Sequence, residues 1–428
     1  MTMRGGGTHG GGTHGGGTHG GGTHGQPGEN DYMNALGDVY ATPVFCEAMN
    51  AMREACIDPG DHVVWGMREP WDERDQARIG RWDSWVRSYL CAQALISDIS
   101  IQANELRPDE WPLDERAPGH HPARRLQVTV SANLPIHEIP AARCCDDDDD
   151  EPRTRHRKVK IATIVRPPDV AFQKQIPSVL AWADLRQERM PEILAQIQNT
   201  YAFWGSQVPI QTDRLRCTRE LLDAAVQFAM FVEMRCKNDI ATWRPTDYSA
   251  QVQPVITTPG HGSMPCGHCT EAYVIKEVLQ SLLMMQHGVP EHDVLRTQFS
   301  RIAARLSVNR VIAGVHFPLD NLAGRLLGKA LGRYFAYRCG GYWSRQLQPQ
   351  LQYGVFRGDL CTGTEEFVPD EQGLFSDDAQ DRPPFYEVHP ITGFRAGEDG
   401  QDPILKSMWA RAREEIKLLQ LAFESGAA

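Results

Sequence analysis

Five long segments of helical periodicity lie close together in the middle of this chain, and they constrain its fold more than any other feature. In each segment, apolar residues recur every three or four positions with polar residues between them. The segments cover residues 176–204, 213–240, 267–286, 291–313 and 318–337, and their connections contain glycine or proline. Amphipathic helices so near in sequence bury their apolar faces against one another, so the pattern predicts a mainly α fold built on a helical bundle.

The periodicity divides the chain into four predicted regions. Residues 1–30 carry a Gly-Gly-Gly-Thr-His repeat and are expected to form a disordered tail, with weak metal capture by the histidines as the alternative. Residues 31–169 predict two or three helices up to about residue 106, then a small β-hairpin around 126–130 and 159–161 with an acidic loop insertion. Residues 170–340 hold the bundle, and residues 341–428 form an extension that ends in a helix over about 403–423.

Charge and cysteine content exclude several classes of protein. The formal net charge is −11, partly from the acidic run at residues 146–151, so neither nucleic acid nor an anionic membrane surface is an expected partner. No apolar run reaches the roughly 18 residues of a membrane span, and the N-terminus lacks a secretory signal, so we expect a soluble cytoplasmic protein. The 11 cysteines are odd in number and scattered, which favours reduced thiols. A homo-oligomer is as compatible with the sequence as a monomer.

Two short clusters in the bundle combine residue types that bind oxyanions. The first is Lys-Asn-Asp-Ile-Ala-Thr-Trp-Arg-Pro at 237–245, in which Lys237 supplies a compact charge and Arg244 a planar fork. The second is Pro-Cys-Gly-His at 265–268, directly before an apolar helix. There Gly267 lets a ligand approach backbone N–H groups closely, and His268 is placed to act as an acid or base.

A third cluster, at residues 310–320, places an arginine, a histidine and an aspartate around a corner between two helices. Gly314 suits the left-handed position just past a helix end, and Pro318 suits the first turn of the next helix. Asp320 lies four residues after His316, so it can bind one ring nitrogen and leave the other for attack or coordination. Each cluster alone has a structural explanation, but their occurrence together, with Arg310 in the third, favours one anion pocket.

Together the clusters resemble the signature of the superfamily of type 2 phosphatidic acid phosphatases, bacterial acid phosphatases and vanadium-dependent haloperoxidases. That signature is Lys-x6-Arg-Pro, then Pro-Ser-Gly-His, then Ser-Arg-x5-His-x3-Asp, and the resemblance spans about residues 170–340. It implies a bundle of the acid phosphatase/vanadium haloperoxidase type. It also implies that His268 is the acid/base, and that His316 is either the phosphorylated nucleophile or the imidazole bonded to vanadium. The groups that hold the oxyanion would be Lys237, Arg244, the N–H of Gly267 and Arg310.

Two positions depart from this signature. Cys266 stands where the family has the serine of Pro-Ser-Gly-His, and Asn309 stands where it has the serine before the arginine. Asn309 can still donate a hydrogen bond to an anion, whereas a thiol is a poor donor and a thiolate would repel the anion. We therefore expect Cys266 to remain beside the oxyanion but to bind one of its oxygens weakly.

The anion-binding residues do not distinguish a phosphatase from a haloperoxidase, because vanadate resembles the transition state of phosphoryl transfer. A phosphatase would need no cofactor and would act on a small-molecule phosphoester. A haloperoxidase would use vanadate, halide and peroxide, and Trp243 resembles its version of the first motif. Four oxidisable side chains argue against peroxide chemistry: Cys236, Met264, Cys266 and Cys269. We favour a soluble phosphomonoesterase acting through a phosphohistidine, with the haloperoxidase as alternative.

Three further interpretations of the central motif stay open. Cys-Gly-His-Cys at 266–269 also spells a dithiol redox motif, whose first thiol would have a lowered pKa at a helix start. A zinc site could draw on His261, Cys266, His268 and Cys269, although their spacing is compact for one. An inactive relic that binds an oxyanion without turnover is the third interpretation.

Overall fold

The computed structural model describes residues 84–105, 126–136, 155–197, 200–210, 213–284, 290–340, 351–368, 383–391 and 402–424. The predicted tail at 1–30, the predicted helices before residue 84 and the acidic loop at 146–151 lie outside the described residues. Among the described residues, no helix combines the length and the apolar character that crossing a membrane requires.

Helices form most of the described structure. The first predicted bundle segment is three helices rather than one, and prolines at 177 and 191 each remove a backbone donor within it. The other four predicted segments and the C-terminal helix are confirmed to within a few residues. The helices are α1 (Ser84–Ile96), α2 (Asp169–Trp182), α3 (Arg186–Ala195), α4 (Tyr201–Trp204), α5 (Arg216–Ile240), α6 (Pro245–Tyr248), α7 (Gly267–Leu282), α8 (Pro290–Ile312), α9 (Pro318–Arg338) and α10 (Pro403–Glu424).

Helix α7 lies at the centre of the bundle, where it packs against α5, α8 and α9. Every residue of α7 except Gln280 is buried. The face of α9 towards α7 carries Gly324, Gly328 and Gly332, spaced one turn apart, and a Cβ at any of the three would press on α7 or the residue before it. The missing side chains let the two helix backbones approach closely, which fixes α7 against the start of α9.

A five-stranded sheet replaces the small hairpin that the sequence predicts. The strands are β1 (Ile99–Glu105), β2 (Leu126–Ile136), β3 (Arg155–Val165), β4 (Gln352–Arg357) and β5 (Tyr386–Pro390), in that spatial order. The predicted hairpin is the antiparallel pair β2–β3. All neighbouring strands are antiparallel except β3 and β4, which are parallel.

The sheet corrects two expectations. Residues 99–105 were predicted as helical, but they pair with β2 over seven residues, and this partner satisfies their backbone groups. The mainly α assignment was also too narrow, because β4 and β5 come from the C-terminal extension, which the sequence left without strands. β3 and β4 are separated by the whole bundle, and so remote a pairing leaves no local periodicity that could predict it.

The C-terminal helix α10 also supports the bundle by capping α5. The Glu415 carboxylate accepts hydrogen bonds from the backbone N–H groups of Cys217 and Thr218, at 2.7 and 2.8 Å. These groups belong to the first turn of α5, where N–H donors lack partners inside the helix and a negative charge is favourable.

Replacing Gly328 by alanine tests the close approach of α7 and α9. The new Cβ would lie 2.8 Å from the Cβ of Tyr273 and closer still to the backbone oxygen of Thr270, which cannot move without shifting α7. We expect Gly328→Ala to lower the free energy of unfolding by about 1–3 kcal/mol in denaturant titration. Gly260→Ala is the matched control, since nothing lies within 4 Å of its built Cβ. Equal stability of the two variants would contradict the packing argument.

Candidate oxyanion site

The ends of five helices bring the predicted site residues together. Each of these side chains lies at the end of α5, before α6, at the start of α7, at the end of α8 or at the start of α9. All are at most 3% exposed, so the site is enclosed. The residues are Lys237, Arg244, Cys266, His268, Arg310, His316 and Asp320.

His316 and Asp320 form a buried dyad. The Asp320 Oδ2 lies 3.0 Å from His316 Nδ1, and the opposite ring nitrogen, Nε2, lies 3.0 Å from Arg244 Nη1. A guanidinium only donates, so Nε2 must be the acceptor and Nδ1 must carry the proton. Burial and the charges of Arg244 and Lys237 hold the pKa of His316 well below its usual range, which keeps the ring neutral. His316 therefore presents a lone pair on Nε2.

The carboxylate of Asp320 accepts several hydrogen bonds through one oxygen. Its Oδ2 also accepts from the backbone N–H of Phe317 at 2.8 Å and from the Ser263 hydroxyl. Burial nevertheless raises the pKa of Asp320 to about 6, against the lowering effect of these donors. The sequence predicted the contact to His316 but not the contribution of Ser263, which lies two residues before Pro265.

Arg244 is held by several acceptors. Its Nη1 donates to the carbonyl oxygen of Val315 at 2.7 Å, and its Nε and Nη2 donate to those of His261 and Gly262, at 3.2 and 3.3 Å. Burial lowers the pKa of this guanidinium. In this geometry Arg244 orients His316 and ties two loops together. The preceding Trp243 is 62% exposed, so it lies outside the buried group.

Arg310 differs from Arg244 because most of its donors lack acceptors. Its Nη2 donates to Gln196 Oε1 at 2.8 Å and to the carbonyl oxygen of Ile193 at 3.2 Å. Its Nε and Nη1 are fully buried and have no hydrogen-bond partner among the residues that the structure describes. Burial lowers the pKa of Arg310 to about 10, because a charge without enough partners is destabilised.

Gln196 links three residues of the site, and no sequence motif predicted it. Its carbonyl oxygen lies 3.0 Å from His268 Nε2, and its side-chain oxygen accepts from both Arg310 and Asn309. The Asn309 amide also donates to Glu192 at 3.1 Å. The donors of Asn309 are therefore directed at α3 and at the C-cap residue of α3, whereas the sequence predicted that they would bind an anion. Gln196 Nε2 is a further buried donor without a partner.

Lys237 and Cys266 occupy the side of the site next to α7. The Lys237 ammonium donates to the carbonyl oxygen of Ser263 at 3.2 Å and to that of Pro265, so its acceptors in this structure are backbone carbonyl groups. Burial lowers its pKa, which the neighbouring Glu233 carboxylate opposes. Burial raises the pKa of the Cys266 thiol to about 12, so no thiolate forms near neutral pH. Cys266 is therefore a neutral thiol, which would not repel an anion as a thiolate would.

Two buried glutamates, Glu233 and Glu271, adjoin the site and were missed by the sequence analysis. Glu233 is one turn before Lys237 on α5, and Glu271 is one turn after Gly267 on α7. The space beside Gly267 holds the Glu233 carboxyl group rather than open volume for a ligand. The one-turn spacing of each glutamate from a motif residue is the signal that could have identified them.

The dithiol interpretation loses its support. Residues 249–266 form no strand before the Cys-Gly-His-Cys motif, and the pKa of Cys266 is raised rather than lowered. Cys266 and Cys269 are both buried, and they form no disulfide with each other. Within the described ranges, no group of three or more histidine, cysteine or acidic side chains has the geometry of a metal site.

Comparison with known proteins finds similarity to solved structures. No protein-family model matches this chain, and no curated protein matches it. A solved structure of a transmembrane PAP2 type phosphatidylglycerolphosphate phosphatase from Bacillus subtilis matches with 20% identity and a TM-score of 0.26. The match covers 41% of this chain and 86% of that one. A TM-score of this size does not establish a common fold, so the function proposed below rests on the side chains of the site.

Replacing Cys266 by serine separates an oxyanion site from a dithiol site. The hydroxyl restores a good donor in nearly the same volume, so vanadate binding is expected to tighten severalfold, the effect of about 1 kcal/mol from one hydrogen bond. Isothermal titration calorimetry measures this change, with Cys339→Ser, at the end of α9 opposite to the site, as a control that should leave the affinity unaltered. The dithiol interpretation predicts a different result. The wild type would show disulfide-reductase activity, Cys266→Ser would lose it, and neither protein would bind vanadate.

Proposed function

We propose that this protein is a phosphoric monoester hydrolase that binds a tetrahedral oxyanion and acts through a phosphohistidine on His316. The observation that carries the proposal is the state of Arg310, whose Nε and Nη1 are buried without an acceptor. An unpaired donor on a buried charge costs several times more than a neutral one. The planar fork of a guanidinium matches two oxygens of a phosphoryl group, so such a group would satisfy both donors.

The balance of charge in the site also supports an anionic ligand. Burial lowers the pKa of Lys237, Arg244 and Arg310, which means that each cation is destabilised by its surroundings. Asp320 is the carboxylate of the dyad, and its pKa of about 6 leaves it mostly ionised at neutral pH. A dianion would offset the excess positive charge in a site from which water is largely excluded.

In the proposed mechanism, Nε2 of His316 attacks phosphorus while Asp320 holds the proton on Nδ1. The guanidinium of Arg244 moves from Nε2 to a phosphoryl oxygen as the substrate enters. The phosphorus–nitrogen bond forms while the bond to the leaving oxygen breaks, and His268 gives that oxygen a proton. Because His268 Nε2 engages the carbonyl oxygen of Gln196, the transfer is assigned to Nδ1. Water, losing a proton to His268, then releases phosphate from the phosphohistidine.

Vanadate-dependent haloperoxidase chemistry is the alternative, and one observation favours it. The neutral His316 with its lone pair on Nε2 suits coordination of vanadium as well as attack on phosphorus. The unpaired donors of Arg310 fit the oxygens of vanadate equally well. Bound vanadate would supply activation of peroxide towards halide, while His316, Arg310 and Lys237 would hold it.

Side-by-side assays distinguish these reactions. The purified protein, with and without added vanadate, is tested for hydrolysis of a phosphate monoester and for halide-dependent consumption of peroxide. A phosphatase hydrolyses the ester and is inhibited by vanadate, whereas a haloperoxidase consumes peroxide when vanadate is present. An inactive relic binds vanadate without catalysing either reaction, and a protein that does none of these overturns the proposal.

Removing the nucleophile should have a different effect from removing the acid. We expect His316→Ala to abolish both ester hydrolysis and the phosphoenzyme that is trapped by phosphate labelling under alkaline conditions, in which a phosphohistidine is stable. His268→Ala should slow turnover by about 10²–10⁴-fold and keep phosphate binding, since proton transfer by a positioned side chain contributes that much. Full activity of His316→Ala would exclude the phosphohistidine route.

The two arginines should respond differently to replacement by lysine. Arg310→Lys removes the planar fork with the two unpaired donors, so we expect vanadate inhibition to weaken by about tenfold or more. Arg244→Lys removes contacts to the carbonyl oxygens of His261, Gly262 and Val315, so it should lower thermal stability as well as affinity. Inhibition constants and melting temperatures of both variants measure the contrast. An unchanged inhibition constant in Arg310→Lys would remove the observation that carries the proposal.

A further inference from the structure

Two glutamates at the inner edge of the candidate site lack hydrogen-bonding partners in the described part of the chain. Glu233 on α5 and Glu271 on α7 are 0% and 2% exposed, and none of their four side-chain oxygens accepts a hydrogen bond. Such burial is costly for a carboxylate, because it loses water without gaining a donor. Burial accordingly raises the pKa of Glu233 to about 7, and burial with the charge of Glu233 raises the pKa of Glu271 well above its ordinary value.

The carboxyl group of Glu233 lies against the start of α7. A Cβ built on Gly267 would be 2.7 Å from Glu233 Oε1. The first N–H groups of a helix have no partner inside the helix and favour an oxyanion beside them. Lys237, one turn further along α5, donates to the carbonyl oxygens of Ser263 and Pro265 rather than to the Glu233 carboxylate. Glu233 is therefore next to the predicted anion position and is not committed to the lysine.

Titratable groups from several elements face this carboxyl group. On α5 they are Lys237 and Cys236, and on α7 the facing group is Glu271. Behind Lys237 lie Arg244, Cys266 and Asp320, and Tyr201 of α4 faces Glu271. Lys237 is the neighbour that favours ionised Glu233, and burial outweighs it. The neutral acid is thus the form that this environment stabilises.

We propose that Glu233, held as the neutral acid, donates its carboxyl hydrogen to the bound tetrahedral oxyanion in place of the serine hydroxyl that Cys266 does not supply. The inference rests on the proposed function, because it adds a contact to the same anion. A protonated carboxylic acid is a good O–H donor, whereas a thiol is a weak one. When Glu233 ionises, the donor is replaced by a negative charge beside a dianion, so anion binding weakens as pH rises.

Sulfate binding at different pH values tests this role, because sulfate is a tetrahedral dianion whose charge is constant near neutrality. Calorimetric titration from about pH 5.5 to about pH 8.5 covers both sides of the ionisation of Glu233. We expect the affinity of the wild type to fall about tenfold or more across this range. Glu233→Gln keeps an N–H donor and cannot ionise, so its affinity should vary much less with pH.

Two control variants make the test specific. Glu277→Gln removes another buried carboxylate of α7, one that accepts a hydrogen bond from Arg333 at 3.0 Å, and should keep the pH dependence of the wild type. Glu233→Met removes the donor and should weaken sulfate binding about fivefold at the low end of the range. Thermal unfolding confirms that each variant is folded.

The outcomes separate this inference from the proposed function. If the wild type binds sulfate and Glu233→Gln shows the same pH dependence of binding, the proposed role of Glu233 is wrong but the anion site is retained. If Glu233→Met binds sulfate as tightly as the wild type at low pH, the proposed role of Glu233 is also wrong. If the wild type binds no sulfate at any pH, the proposed anion site itself is wrong. A merely structural Glu233 would change the melting temperature of its variants but not the pH dependence of binding.

Discussion

The buried carboxylate of Asp320 is the group on which the geometry of the candidate site depends. Through Oδ2 it fixes the tautomer of His316 and accepts the N–H of Phe317 at the start of α9. The hydroxyl of Ser263 donates to the same oxygen, and the Asp320 backbone oxygen accepts the N–H of Cys266 at 2.9 Å. One residue thus connects the imidazole, the start of α9 and the loop that leads into α7. The glycine stripe on α9 allows this connection, because it brings the two helices close enough for the loop to reach Asp320.

The parts of the structure that sequence patterns predicted are those that neighbouring residues encode. The helices α5, α8 and α9 end where a proline, a glycine or a change of periodicity marks a boundary, so their predicted limits were nearly correct. The contact between His316 and Asp320 was also predicted from local sequence, since Asp320 in the first turn of α9 can reach back to the residues just before the helix. Helix ends then place Lys237 and Arg310 near this dyad.

The parts that were missed depend on residues far apart in the chain. Gln196 meets Arg310 across more than a hundred residues, and β3 meets β4 across the whole bundle. Neither pairing leaves a period or a motif in the sequence around it. The two buried glutamates were missed for another reason: α5 and α7 each carry several charged residues, and the sequence pattern does not show which of them are buried. Their burial becomes evident only when α5 and α7 are packed together.

Buried groups of both signs make the charge of the site depend on its protons. Lys237, Arg244 and Arg310 are destabilised as cations, while Glu233 and Asp320 are destabilised as anions, because burial disfavours every charged form. A dianion that enters the site strengthens the cations and further disfavours the carboxylates. Its binding is therefore coupled to proton uptake, and by linkage each bound proton must favour the anion to the same extent. The proposed oxyanion binding would therefore depend on pH through these buried groups.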